Sequence, residues 1–532
     1  MKKLLLSIAM LVSITLMRAQ NVITNPFFDQ TDYIGAFNTN DWTAGWANWD
    51  PQNTVYGEAT VTKTGEITAS ETWTANNVYL LDGWVYVKDG ATLTIEPGTV
   101  IRGDYNTKGS LIIERGAKLN AVGTSSQPII FTSGEDAGNR DYGDWGGIIL
   151  CGKATINVTG GDAEIEGGVG SHYGGGISPD DNDNSGSLKF VRIEFPGVPF
   201  LPDKEINGLT FGGVGRGTEI DYVQVSYSGD DAYEWFGGTV NCKHLVTYRT
   251  WDDDYDTDYG YSGMIQYAVA LRDPAIADPG SGSNGFESDN NGSGTDDAPY
   301  TQAVFSNFSM FGPKVTQATA TSPDYKRAMH LRRNTKLKVY NSIFAGYKDG
   351  LMIDGTSAET NATNDELKMY NCIIAGVSGS YFTLASGSSW DIRSWYFDSS
   401  RHNDTLVNNS DLMISGAFNL SAPNFLPQTG SPALGQSFWA SVNQNNSPDF
   451  QAIIMPNPVK DNAIFNIELN QNSRLNISVY NNLGELVQVV ANENLPEGNH
   501  AFGFNAASLP SGLYFARISA NQSCQVWKIV VE

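Results

Sequence analysis

Two acidic runs carry the side chains with the most chemical promise. The string "YSGDD" ends in Asp230 and Asp231, and 22 positions later "TWDDD" supplies Asp252, Asp253 and Asp254, with Asp256 and Asp258 following. Carboxylates repeated at that interval face one another only if the chain winds in coils of that length, because stacked strands lie about 4.8 Å apart. Like charges so close repel unless a cation sits between them. Ca²⁺ suits such a place, since it accepts about 6–8 oxygen ligands in irregular geometry. Asp230, Asp231, Asp252, Asp253, Asp254 and Asp256 are therefore the candidate Ca²⁺ ligands, and Glu234, Glu287 and Asp289 join them if their loops fold back. The plainer alternative is a solvated acidic turn region screened by salt.

Other constellations are weaker. In "DDNDNSG", Asp181, Asp183 and Ser185 precede Gly186 with the alternate-position spacing of a calcium loop, but Arg192 stands where that loop needs its closing carboxylate. A flexible insertion is the better reading. The five histidines are scattered without i, i+4 pairing, which argues against a zinc site. "GGVGRG" at Gly212 to Gly217 lies among β-turns, where glycine supplies positive φ rather than a phosphate cradle.

The elements that must position the aspartates are legible as repeats. "LKVYNSIFAG" and "LKMYNCIIAG" recur 30 residues apart, with a looser copy in "VFSNFSMFG". In each, an asparagine precedes a glycine by five positions: Asn307/Gly312, Asn341/Gly346 and Asn371/Gly376. Identical residues at matched turns can stack and hydrogen-bond along a solenoid axis, so these asparagines read as structural. Upstream, "YVQVSYSGDD", "HLVTYRTWDDD" and "QYAVALRDP" align at 22-residue steps, which puts Val223, Leu245 and Tyr267 in one column and Val225, Thr247 and Val269 in the next. The size is that of one coil of a parallel β-helix. "WVYVKDGATLTIEPGTVIRGD" and "GSLIIERGAKLNAVGTSSQPIIFTSG" alternate apolar and polar residues between turns.

These strings resemble the opening coils of right-handed parallel β-helix surface proteins and of the pectate-lyase-like superfamily. More diffusely, "YIGAF", "GDWGGIIL", "INGLTFGGVG" and "YSGDDAYEWFGGTVN" resemble a group of secreted proteins without a settled activity. About a dozen coils fit between Glu71 and Pro423. A solenoid needs covered ends, and Trp42, Trp46 and Trp49 in "DWTAGWANWDP" are expected to form an N-terminal cap, a sugar-stacking platform being the alternative. Within such a scaffold "GDD" is similar to the paired aspartates of polygalacturonases, but their Gly-His-Gly and Arg-x-Lys partners are missing. His244 falls inside a predicted strand, and Arg332 and Arg333 read as solvent-facing charges rather than a lyase base.

Composition narrows the field further. The 532 residues carry 58 Asp+Glu against 33 Lys+Arg, a net charge of −25 that repels nucleic acid and anionic membranes. The first residues read as a secretory signal: Lys2 and Lys3, an apolar stretch from Leu4 to Leu16, and Ala19 before cleavage. No later segment approaches the roughly 20 apolar residues of a membrane-spanning helix. Four widely spaced cysteines, Cys151, Cys242, Cys372 and Cys524, fit no metal or redox motif and are expected to be buried thiols.

From about Pro456 the sequence turns to short period-2 runs, a small β-sandwich in prospect. Pro456-Asn457-Pro458, Gly484 after "YNNL", "LPSGLY" around Gly512 and Tyr514, and Lys528 in the closing strand together resemble the type A sorting domain of the type IX secretion system. That resemblance implies export across the outer membrane of a Gram-negative bacterium by the type IX machinery. It also implies removal of the domain as the passenger is released or attached to surface lipopolysaccharide. An ordinary, carbohydrate-binding β-sandwich is the alternative for the same strands.

The expected chain is all-β: signal peptide 1–19, N-terminal segment and solenoid cap 20–70, right-handed parallel β-helix 71–425, linker 426–450, and C-terminal sorting domain 451–532. The expected function is a non-catalytic adhesin or glycan-binding protein at the cell surface or in the medium, with extracellular glycans or host surface molecules as partners. An extracellular polysaccharide lyase or glycoside hydrolase is the alternative.

Overall fold

The computed structural model describes residues 25–201, 204–435, 450–481, 486–520 and 523–532. The expected signal peptide, most of the expected linker and Gly484 lie outside them. The chain divides into a large unit, Thr31–Phe438, and a smaller one that holds Trp439–Glu532.

The large unit is a parallel β-helix. Long strands Glu219–Ser226, Asn241–Tyr248, Met264–Leu271 and Val304–Phe311 pair in parallel succession. Short strands Leu209–Gly212, Tyr233–Phe236, Tyr255–Asp258, Phe286–Ser288 and Arg327–Arg332 do the same. A single residue with positive φ bends each long strand, which gives the coil three faces. That residue is Tyr222, His244, Tyr267, Asn307, Asn341 and Asn371 in turn, all between φ 48° and 64°.

The left-handed bend explains the asparagine repeat. Asparagine tolerates this conformation better than other non-glycine residues, so the recurring side chain marks a backbone need rather than an axial amide stack. Asn307 in fact donates sideways, to Thr31 Oγ1 and to the carbonyls of Tyr33 and Gly35. Asn341→Ile, which puts a β-branched residue at φ 48°, should cost about 1–2 kcal/mol. Chemical denaturation would show it as a lower midpoint at unchanged slope.

The same bend corrects the third step of the 22-residue alignment. Val223 and Leu245 are in register, but the next residue in the column is Ala268, and Thr247 is followed by Ala270. Tyr267 occupies the bend and stacks on His244, which stacks on Tyr222, at 5.0 and 4.1 Å between ring centroids. The interior is filled by side chains from all three faces, with Phe211, Trp235, Tyr233 and Tyr255 packed in layers 5.2–5.6 Å apart. Cys151, Cys242 and Cys372 are buried free thiols, Cys242 and Cys372 in these layers and Cys151 in a separate cluster with Ile112 and Ile149, while the side chain of Cys524 lies outside the described residues.

The N-terminal aromatic segment does not close an end. It runs as a strap along one flank, over outward-facing Val246, Tyr248, Val269, Leu271, Phe311 and Ile343. Trp46 is 2% exposed, Trp42 stacks at 5.1 Å on Phe37, and Trp49 meets Tyr248 edge to face at 5.2 Å. Two arginines rivet the strap. Arg140 donates to the carbonyls of Pro51 and Thr54, and Arg102 to that of Gly57. The reason is area: this flank is apolar over many coils, and an exposed patch that size demands cover, whereas the first coil edge does not. That edge, Val61–Ile67, lies ahead of the expected start at Glu71 and is blunted by its own Lys63, paired with Glu71.

The far end is covered by a short helix, Ile392–Tyr396, whose Trp395 and Tyr396 are buried against the last coils. Residues 426–435, expected to begin a linker, are folded onto the strap: the Ile34 amide donates to the Ala433 carbonyl and Tyr33 pairs with Leu434.

The smaller unit is a β-sandwich of two antiparallel sheets, one of three strands and one of four, around a core that includes Phe465, Ile477, Ala516 and Ile529. The sorting-motif residues meet at its closing strand. Asn457 Nδ2 donates to the Lys528 carbonyl, and the Val530 amide donates to Asn457 Oδ1. Gly512 opens the neighbouring strand opposite Val531, and the Tyr514 hydroxyl donates to the Pro510 carbonyl.

Candidate functional site

The acidic residues converge where two coils turn into the short-strand face. Asp231 and Asp253 are in register, and the Asp253 amide donates to Asp231 Oδ1 at 2.8 Å. The pattern repeats one coil on, where the Asn284 amide donates to Asp253 Oδ1. Each carboxylate thus satisfies the backbone of the coil above, which is why the polar corner stacks at all.

Side chains from both coils then form two groups. One oxygen each from Asp230, Asp231 and Asp252 lie within 4.8 Å of one another, and so do oxygens of Asp231, Glu234 and Asp256. Asp231 belongs to both. Asp231 and Glu234 are each 8% exposed, while Asp230, Asp252 and Asp256 keep partial access to solvent. Oxygens bound to one Ca²⁺ at about 2.4 Å lie no more than about 4.8 Å apart, so either group fits one ion. Asp252 Oδ1 and Asp256 Oδ1 are buried without a hydrogen-bond partner, lone-pair acceptor capacity that a cation would meet.

Not every expected ligand takes part. Asp254 points to the other side of the strand, where Oδ2 accepts from Arg272 Nε at 2.8 Å and Oδ1 from Thr247 Oγ1 at 2.8 Å. Its role is structural. Asp253 belongs to neither group and serves the corner ladder. Asp256 and Asp258 lie on strand Tyr255–Asp258 rather than in a loop, and so do Glu234 and Glu287 on theirs, so no loop has to fold back to bring them in.

Glu234, Asp256, Glu287 and His330 stand in one column of the short-strand face. The signal was present in the sequence as an aromatic residue followed by an acid: Tyr233-Glu234, Tyr255-Asp256 and Phe286-Glu287. Glu166 and Glu205, which come from segments that flank this face, had no such signal, and both add negative potential at Asp230. Asn207 donates from its side chain to the Glu234 carboxylate.

The electrostatics follow. Burial is the first cause, and facing carboxylates the second, of a pKa well above the ordinary range for Asp230, Asp231, Glu234 and Asp256. Burial and Glu287 push Asp253 up to about 7, and burial and Asp289 push Asp258 to about 8. Besides the buried Arg272, positive charge stands at the far end of the column. His330 bridges Glu287 Oε2 and Asp354 Oδ2 at 2.9 and 3.0 Å, Arg332 is paired with Glu287 and Asp289, and Arg333 reaches Asp289 at 2.8 Å. The expected solvent-facing role of Arg332 gives way to a part-buried ion pair. Beside Asp252, the part-exposed rings of Trp251 and Tyr142 lie 4.2 Å apart, and Ser281 Oγ is 2.7 Å from Asp252 Oδ2.

The second calcium-like string is held by protein contacts: the Thr155 amide donates to Asp181 Oδ1 and the Ser185 amide to Thr218 Oγ1. Among the described residues no helix is long and apolar enough to cross a membrane.

Residues 65–405 match the pectate-lyase-like β-helix domain family, and residues 453–532 match the secretion system C-terminal sorting domain. No curated protein matches the chain. Among solved structures, it is similar to the enzymatically active domain of tailspike protein 4 from bacteriophage CBA120. The two are 11% identical with a TM-score of 0.20, over 88% of this chain and 62% of that one, so the chain spans less than two thirds of that structure. It is also similar to the Dettilon tailspike protein, 10% identical with a TM-score of 0.20, over 86% of this chain and 74% of that one. With its coils and its terminal sandwich both accounted for, the chain belongs to the pectate-lyase-like β-helix family and carries the type IX sorting domain of a protein secreted or attached to the outer surface.

Proposed function

We propose that this secreted β-helix binds extracellular glycans without cleaving them, through Ca²⁺ held by Asp230, Asp231, Asp252, Glu234 and Asp256. The observation that carries the reading is the pair of carboxylate groups sharing Asp231, with oxygens within 4.8 Å. Such spacing suits a common cation. A lyase needs an unpaired basic side chain beside its cation, and among the described residues His330, Arg332 and Arg333 are all engaged by carboxylates.

Bound Ca²⁺ supplies the positive charge that a protein of net charge −25 otherwise lacks for sugar hydroxyls or uronate carboxylates. The Trp251 and Tyr142 rings at the rim offer apolar area with a polar edge, the kind of surface a pyranose ring packs on. The test is a glycan array with the mature protein in about 2 mM Ca²⁺, enough to fill an extracellular-type site, and in EGTA, beside a reducing-end assay on every glycan bound. Calcium-dependent binding without new reducing ends is expected. New reducing ends or unsaturated products would reject the non-catalytic reading, and binding indifferent to EGTA would reject the role of Ca²⁺.

A further inference from the structure

A cavity lies in the last coils, built from residues that none of the acidic groups include. It measures about 540 Å³ and is lined by Gly355, Thr356, Glu359, Ser388, Ser389 and Trp390, among others. That is within the range of about 300–1,000 Å³ typical of small-ligand sites. Glu359 sits on the first turn of helix Thr356–Thr363, and its Oε1 is buried with no hydrogen-bond partner. No ion pair of the described residues engages it. A buried acceptor in that state is a place for a donor from outside the chain.

Trp390 forms another part of the wall. Its ring is only partly buried and rests against Trp395 at 5.7 Å, so a rigid indole is presented rather than a mobile one. Opposite chemistry surrounds it: the serine hydroxyls and Thr356 are donors and acceptors that rotate to suit a ligand. The wall is also open at Gly387, where an added Cβ would meet nothing within 4 Å.

An indole platform, a free carboxylate acceptor and several hydroxyls in one hollow match a sugar ring, apolar on its C–H face and hydroxylated at its rim. We propose that this cavity is a second glycan subsite, taking one or two residues of an uncharged hexose chain, with Trp390 under the ring and Glu359 accepting from its hydroxyls. Glu359 is the one charged residue of the lining, so an anionic sugar would be repelled and no cation is required. The choice of ligand class rests on the glycan-binding reading; the site itself does not depend on the acidic face.

The mature full-length protein should be titrated in EGTA with cello-, malto- and mannotetraose, following tryptophan fluorescence and calorimetric heat. At least one tetrasaccharide is expected to bind saturably without Ca²⁺. Trp390→Ala should weaken it at least about ten-fold, Glu359→Ala several-fold, and Trp390→Phe by little. If none of the three binds the wild type in EGTA, or if both alanine variants bind as the wild type does, the subsite is wrong. If this binding persists while calcium-dependent binding at the acidic face is missing, the reading of that face falls and the subsite stands. Should Trp390→Ala fail to fold, Glu359→Ala and Trp390→Phe decide the matter.

Discussion

Stripped of divalent cations at pH 8, the protein should melt about 5 °C or more below its value in millimolar Ca²⁺, a ligand present at about 1,000 times its Kd adding roughly 4 kcal/mol. The gap should close near pH 5. The sign follows from the carboxyls of the acidic face. Without a cation they titrate abnormally high in the folded state, because they are buried and face one another, with Asp253 near 7 and Asp258 near 8. In the unfolded chain an aspartate loses its proton near pH 4. Between those limits the folded form holds the extra protons, so each such group removes about 1.4 kcal/mol of stability per pH unit as the pH rises. The loss begins above about pH 4 and is complete once the folded values are passed. Ca²⁺ reverses the trend, since it needs the carboxylates ionised. Asp231→Asn should abolish the calcium response and raise the cation-free melting temperature at pH 8, because it removes the charge common to both groups. A melt that ignores both chelator and pH would reject the cation at this face.

Asp254→Ala should destabilise the β-helix by about 3–5 kcal/mol, the usual effect of stranding one member of a buried ion pair. Asp254 and Arg272 are 1% and 0% exposed, and Arg272 also donates to the carbonyls of Asp252 and Asn284. Without Asp254 the buried guanidinium loses its direct ion-pair partner. The same loss is expected with and without Ca²⁺, which separates this aspartate from its neighbours two positions either side. The double variant Asp254→Leu, Arg272→Met should recover most of the stability, since apolar replacement of a buried pair is often neutral. Denaturant titration of the three proteins checks the cycle. A calcium-dependent loss at Asp254 would return it to the ligand set.

The architecture was legible because a solenoid repeats its local needs. Every coil wants an apolar inward position, a bend and a turn, so the asparagine and glycine spacing and the 22-residue alignment both pointed to real coils. The slip at Tyr267 escaped because a coil with one residue more looks the same in periodicity until its bend is located. The opposition of Asp231 and Asp253 followed from coil length alone. What strand geometry decides, and spacing does not, is the direction of each side chain. Asp254 sits in the bend just before strand Tyr255–Asp258 and faces a buried arginine, whereas Asp256, on the strand, faces the carboxylate group. Glu166 and Glu205 come from flanking segments whose path no repeat fixes. For the tryptophan cluster the residue types were right for covering an apolar surface, but sequence does not say which surface lacks cover.

The strap ties the order of synthesis to the completion of the fold. Thr31 to Gly35 leave the ribosome early, yet their hydrogen-bond partners lie as far along as Asn307, Asn341 and Ala433, more than 270 residues later. Closing so long a loop adds only slowly to the entropic cost, but contacts this distant in sequence are made late and slow the approach to the native state. The same hydrophobic side, from Val246 to Ile343, is also packed against Leu412, Ala417, Phe425 and Ala433, so its cover is complete only when both chain segments are in place. A chain ending before Leu412 is expected to leave part of this flank uncovered and to self-associate more than the full chain.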